Sequence, residues 1–170
     1  MALGSGQSRQ TVDRRAPQRP GGQGAGGGRG NESGGREPEP TIDVSRIRFG
    51  AAIDLHLYSD IAEAAAREVG RQVGGRECNK PTQLRRFYDE LVMLHDRVGS
   101  DAPRFEAQAP FIQMLKAKAA YALGRKKVDV NFERLLRTVV DGVVDIATLK
   151  QAKIFLEAFM AFYKAHGPRD

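Results

Sequence analysis

The 170-residue sequence predicts an all-α fold, a compact bundle of four to five helices behind a disordered Gly/Arg-rich N-terminal tail. Three observations carry this. Apolar residues recur three and four apart through most of residues 59–165, and no segment shows convincing alternation of period two. Glycines stand at the ends of the periodic stretches, where helices stop. The connections between stretches are short, as between antiparallel neighbours in a bundle.

The first forty residues hold eleven of the nineteen glycines and four of the eight prolines. Their core, "RRAPQRPGGQGAGGGRGNESGGREPEP", offers almost no apolar surface to bury, so residues 1–45 are expected to be a flexible tail. Residues 46–170 are long enough for one core. With no tryptophan, that core must come from Leu, Val, Ile, Phe and Ala.

Residues 51–57, "AAIDLHL", fit a short helix and an extended lead-in equally. From Ser59, "SDIAEAAAREVGRQV" places Ile61, Ala65, Val69 and Val73 four apart, with Ser59 as N-cap and Gly74-Gly75 as the stop. In "NKPTQLRRFYDELVMLHDRV" a helix is predicted from about Thr82. Leu84, Phe87, Tyr88, Leu91, Leu94, His95 and Val98 share its apolar face, and Gly99 ends it. "SDAPRFEAQ" reads as a loop. A third helix is predicted from about Ala109, with Pro110 at its first position. Phe111, Ile112, Leu115, Ala119 and Ala122 form its buried side, and Gly124 is its C′ residue. Beyond the basic connector "RKKVDVN", Phe132, Leu135, Leu136, Val139, Val140 and Val143 make a fourth stripe. Its valines suggest a strand, but the spacing is helical. The last helix, from about Asp145 to Ala165, turns Leu149, Ala152, Phe155, Leu156, Phe159, Met160 and Tyr163 inward. "HGP" closes it.

The net charge is +6, of which the tail, with six arginines against four acids, supplies +2. A moderate basic excess suits a polyanion partner, although many proteins without one share it. The lone Cys78 cannot form an internal disulfide, which fits a reducing cytosol. Its basic, polar setting "GGRECNK" is compatible with a reactive thiol, but a bystander is the commoner case. No run approaches the ~18 apolar residues of a membrane span, and the N-terminus lacks a signal-peptide h-region. A cytoplasmic protein with no membrane partner is expected.

Catalytic signals are weak. No HExxH, paired-Cys, GxSxG or GxxxxGK[ST] pattern occurs. Of the three histidines, His56, His95 and His166, the second sits on the apolar edge of its helix and reads as a core or rim residue. Asp89, Glu90, Asp141 and Asp145 read as helix-surface and cap residues. "GAGGGRG" has neither the strand before it nor the helix after it that a phosphate loop requires. No catalytic residue, metal or cofactor is assigned.

The basic positions are more informative. Arg85 and Arg86 fall in the predicted first turn of the second helix, where the macrodipole favours carboxylates and mildly penalises cations. Asp89 and Glu90, four residues on, offer partial neutralisation in the weaker base-before-acid order, worth ~0.2–0.5 kcal/mol per pair. Lys118, Tyr121 and Arg125 share a face of the third helix, and Lys126 and Lys127 follow. Cations at a helix C-terminus are ordinarily stabilising, so folding alone explains this second group about as well. Together the two groups make a reasonable phosphate-binding surface.

Three stretches resemble the small subunit of type III-A CRISPR effector complexes, the Csm complexes of prokaryotic antiviral defence. They are "DIAEAAAREV" leading through "NKPTQLRRFYDELV"; "FIQMLKAKAAYALGR", similar to a Leu-Lys-x-Lys-x-x-Tyr-Ala-x-Gly-Arg pattern; and the Phe-rich ending "LKQAKIFLEAFMAFYKAHG". In order, they cover roughly residues 55–167. The resemblance implies a small, helical, non-catalytic protein present in several copies. These copies would stack along the guide RNA beside a filament of another subunit and help hold the guide RNA–target RNA duplex. RNA cleavage and cyclic-oligonucleotide synthesis would belong to other subunits. It also implies RNA-binding roles for Arg85 and Arg86 and for Lys116, Lys118 and Arg125, with Tyr121 positioning that face. Lys126 and Lys127 adjoin them. Lys116 points roughly opposite Lys118 on an ideal helix, so one of the two is free to meet a neighbouring subunit. Gln83 is a weaker candidate for a ribose hydroxyl. The tail lies outside the family pattern.

Two other classes fit the periodicities. A stand-alone helical adaptor would bind a protein through an exposed apolar stripe and leave the arginine pair unexplained. A DNA-binding regulator would need a tight turn before a base-reading helix, and no such turn precedes the third helix.

Overall fold

The computed structural model describes residues 39–72, 75 and 77–167; the tail expectation for residues 1–38, and Val73 and Gly74, lie outside them. Every regular element among the described residues is helical. A 3₁₀ turn over Leu55–Tyr58 precedes α1 (Asp60–Gly70), α2 (Pro81–Val98), α3 (Ala102–Gly124), α4 (Val130–Asp141) and α5 (Ile146–His166). The all-α, five-helix bundle is therefore as predicted, and residues 51–57 divide between an extended lead-in and the first three residues of the short turn.

The helices close into a ring in which α1 packs on α5, α5 on α2, α2 on α3, α3 on α4, and α4 back on α1. Each turns inward the stripe its spacing defines. On α4, Phe132, Leu135, Leu136, Val139 and Val140 are all buried, and Val143 follows just beyond its end. An aromatic ladder crosses the core: Phe87 of α2 meets Phe132 of α4 at 5.4 Å between ring centroids. Phe132 meets Phe159 of α5 at 6.3 Å, and Phe159 meets Tyr163 at 5.7 Å. Such contacts add to the large apolar area each ring buries. His95 is half-buried at the rim, with Nδ1 3.1 Å from Asp96, as expected of a histidine on an apolar edge.

Caps set the helix limits. Asp129 and Asp145 accept the amides of Phe132 and Thr148, and Thr148 Oγ1 returns the bond to the Asp145 amide, completing a capping box. Ser59 occupies the N-cap of α1 but makes no side-chain cap bond there.

The largest departure from the sequence reading is at α3. The spacing predicts a start near Ala109, but the helix begins at Ala102, where Asp101 accepts the Arg104 amide and Pro103 lies in the first turn. Pro110 is inside the helix, not at its head. Its missing N–H would have bonded the carbonyl of Glu106, and both residues are exposed, so water can satisfy that carbonyl. Phe111 is a second correction. It was placed on the buried side, yet it is 52% exposed, and Ile112, Leu115 and Ala119 carry the contact.

Residues 39–50 lie along α4. The fully buried Asn131, near the start of α4, accepts the amides of Thr41 and Ile42 (2.8 and 3.2 Å) and donates to Thr41 Oγ1 (3.1 Å). Ile42 and Ile47 join the core. At the far end of α4, Phe49 lies against Gly142 so closely that a Cβ there would stand 2.6 Å from its ring. Gln151 of α5 pairs both its amide atoms with the backbone of Gly50 (2.8 and 3.0 Å).

Candidate nucleic-acid interface

The eight basic and aromatic residues singled out above come from α2, α3 and the connector after α3. Helix α2 begins at Pro81, one residue before the expected start, so Arg85 and Arg86 are its fifth and sixth residues. They lie beyond the first turn, and the macrodipole penalty is smaller than the sequence reading supposed. Both are exposed. Arg85 Nε stands 3.5 Å from Asp89, whereas Arg86 has no carboxylate partner among the described residues.

Lys118 and Lys116 point to different neighbours, as their offset on a helix requires. Lys118 Nζ is hydrogen-bonded to Glu90 of α2. Lys116 Nζ reaches Asp141 at the end of α4, 2.5 Å away. Lys118 therefore lies on the α2 side of α3, and Lys116 stands apart from the group. The Lys118–Glu90 pair also sets the register of the antiparallel seam. One turn along, Arg86 falls level with Tyr121 and Ala122. Arg125 donates from Nη1 to Tyr121 Oη at 3.0 Å.

The connector folds back beside the start of α2. Helix α3 ends with Arg125 as C-cap. The Lys126 amide bonds the Leu123 carbonyl (2.8 Å) and the Lys127 amide the Ala122 carbonyl (2.9 Å), a Schellman closure. Gly124 was expected at the left-handed position, but Lys126 holds it with φ +55°. A non-glycine residue there is disfavoured by about 1–2 kcal/mol. Lys126→Gly is therefore expected to raise stability by about 1 kcal/mol in equilibrium unfolding. A loss of stability would show that the lysine side chain supplies more than its backbone conformation costs.

Two residues lock this turn in place. Cys78 Sγ donates to the Lys126 carbonyl (3.2 Å), and the Asn79 amide donates to the Lys127 carbonyl (2.9 Å). Burial pushes the Cys78 thiol up, and the Asp129 carboxylate adds to this. Cys78 is thus a buried structural thiol, the bystander of the two sequence readings. Asn79, fully buried with φ +57°, accepts the Asp129 amide (2.9 Å) and donates to the Val69 carbonyl (3.1 Å). Its own carbonyl accepts the Tyr163 hydroxyl of α5. The sequence reading gave Asn79 no role; its one signal is an asparagine between a glycine-rich turn and a helix-opening proline. Lys80 also belongs here. Its hydrogen bond holds Glu77 below the usual glutamate range, with a smaller contribution from the charge of Lys127.

The result is a cationic end to the α2–α3 seam, formed by Arg86, Lys118, Tyr121, Arg125, Lys126 and Lys127. Elsewhere on the same two helices, large apolar side chains are exposed. Met93, Phe111 and Met114 are 41%, 52% and 51% exposed there.

A small helical bundle that gathers cations from two elements carries charge of the sign that suits a polyanion, and no group of three metal-ligating side chains occurs among its described residues. Residues 57–169 match the Csm2 Type III-A family, and the chain belongs to that family. It is accordingly a non-catalytic RNA-binding subunit of the type III-A CRISPR effector, the Csm complex. That membership sets aside both the stand-alone adaptor and the DNA regulator. No curated protein and no solved structure shows a significant match. Among the described residues no helix is long and apolar enough to cross a membrane.

Proposed function

We propose that the cationic end of the α2–α3 seam holds the backbone of a guide RNA–target RNA duplex in the cytoplasm. Several copies of the chain would lie along the duplex, with other subunits of the complex beside them. One observation supports this above the rest. Arg86, Arg125, Lys126 and Lys127 form no ion pair within 4 Å of a carboxylate among the described residues, and all four belong to α2, the end of α3 and the connector after it. Guides differ in sequence from complex to complex, so their support must contact phosphate and ribose rather than bases. Arginine suits that task through its planar fork of donors. Lys116, paired with Asp141 on the α4 side, is assigned to a neighbouring subunit instead. The exposed Phe111 and Met114 of α3 offer a protein neighbour somewhere to rest.

Replacing Arg85 and Arg86 together by alanine is expected to weaken binding of unrelated guide–target pairs to a similar extent in reconstituted complexes. The slope of log K against log salt should flatten by about 0.7–0.9 per lost phosphate contact. Arg86 should account for the larger share, because Asp89 already engages Arg85. Lys150→Ala with Lys164→Ala, which removes the same charge from the exposed side of α5, should change little. A folded Arg85/Arg86 variant that binds as tightly as wild type would transfer the assignment to Lys118 and Arg125.

A further inference from the structure

Tyr121 is the least explained side chain on the seam. A grip on duplex backbone needs cations, yet this ring stands 67% exposed in their midst. Arg125 does not cover it. A guanidinium that bonds the phenol oxygen at 3.0 Å, with its carbon 5.8 Å from the ring centroid, sits off the hydroxyl end rather than over a face. The ring is therefore held by its tip and keeps its outward face open. The backbone that carries it is fixed, since Arg125 is the C-cap of α3 and the Schellman turn behind it is tied to Asn79. Lys118, bonded to Glu90, lies one turn before it and the unpaired Arg125 one turn after it, so a cation adjoins the open aromatic face along the helix.

We propose that Tyr121 is a stacking platform for an unpaired nucleobase, with Arg125, which has no carboxylate partner among the described residues, on an adjoining phosphate. This rests on the RNA-binding reading above and adds a ligand class to it. Bases inside a duplex are already stacked on both faces and cannot use the ring. An unpaired base, at a strand end or an interruption of pairing, can. Stacking is sequence-tolerant because every base presents a π-face, so the platform is compatible with any guide.

The chain has no tryptophan, so full-length Tyr121→Trp carries a single reporter at the site. At low salt, its emission should be quenched on saturation with a short single-stranded oligouridylate and left nearly unchanged by a blunt-ended RNA duplex of equal length. Tyr121→Ala should lose about 5- to 150-fold in affinity for the single strand, the range that one base–aromatic stack spans, and less than about 2-fold for the duplex. Tyr121→Phe should retain most of the single-strand affinity. Equal losses for both RNAs, or a saturated single-strand complex with unquenched tryptophan, would overturn the platform and leave the RNA-binding reading standing. Failure of the wild-type chain to bind either RNA would overturn both.

Discussion

Replacing Asn79 by alanine is expected to destabilise the protein by about 3 kcal/mol and to loosen the cationic surface. Two buried hydrogen bonds go with the side chain, to the Val69 carbonyl and from the Asp129 amide. Their loss in a dry site costs about 1–3 kcal/mol. Alanine must also hold the left-handed backbone of residue 79, at about 1–2 kcal/mol. Equilibrium urea unfolding would measure the sum, with the dependence on urea unchanged if the denatured state is unaffected. Asn79→Gly separates the two parts, because glycine removes the side chain without the backbone penalty, and should recover about 1 kcal/mol. A variant within 1 kcal/mol of wild type would mean that the loop relaxes without its knot. Where Asn79→Ala remains folded, RNA affinity should still fall, because Lys126 and Lys127 are no longer fastened beside α2.

Truncation should show a sharp threshold between residues 40 and 46. Deleting residues 1–40 removes a segment whose composition offers little apolar surface, and the melting temperature should change by no more than a few degrees. Deleting residues 1–46 also removes Thr41 and Ile42. Burial of an isoleucine is worth about 1.5–3 kcal/mol, and the Asn131 amide, fully buried, would lose three hydrogen bonds to Thr41 and Ile42. That adds about 1–3 kcal/mol. Together they should lower the melting temperature by roughly 10–20 °C. Circular dichroism of the two deletions decides the matter, and equal melting would show that the segment lies on the bundle without supporting it. The proposed boundary between tail and bundle lies near residue 40 rather than at 45, where composition alone suggested it.

The two results share a cause that also explains what could be read beforehand. Stripe spacing reports which side of a helix is apolar, so α4 was legible down to each buried apolar residue. The same signal is silent over the first turns of α3, where Arg104, Glu106 and Ala107 are exposed. There the start is set by Asp101 and Pro103, and the reading followed Pro110 instead. Phe111 and Ile112 were both placed inward, although neighbours on a helix lie about 100° apart and only Ile112 faces the core. The cations were legible as exposed groups, but not their pairing. Lys118 meets a glutamate 28 residues away and Lys116 an aspartate 25 residues away, and no local pattern encodes such partners. Asn79 and Asn131 were missed for the same reason. Asparagine in a turn or an opening helical turn has a sufficient local explanation, and only the folded chain shows them to be buried.

The bond from Tyr163 to the Asn79 carbonyl spans 84 positions, and the Gln151–Gly50 pair spans 101. Helices form from local contacts early and quickly, but these closures wait for the far end of the chain. During synthesis α2 and α3 emerge well before α5. A nascent chain would thus carry the arginines and lysines on elements that lack the α5 tie to Asn79 until Tyr163 has cleared the ribosome. The last tie to Asn79 is therefore made only when the chain is nearly complete, after the bonds among residues 78–127 that close the seam can already form.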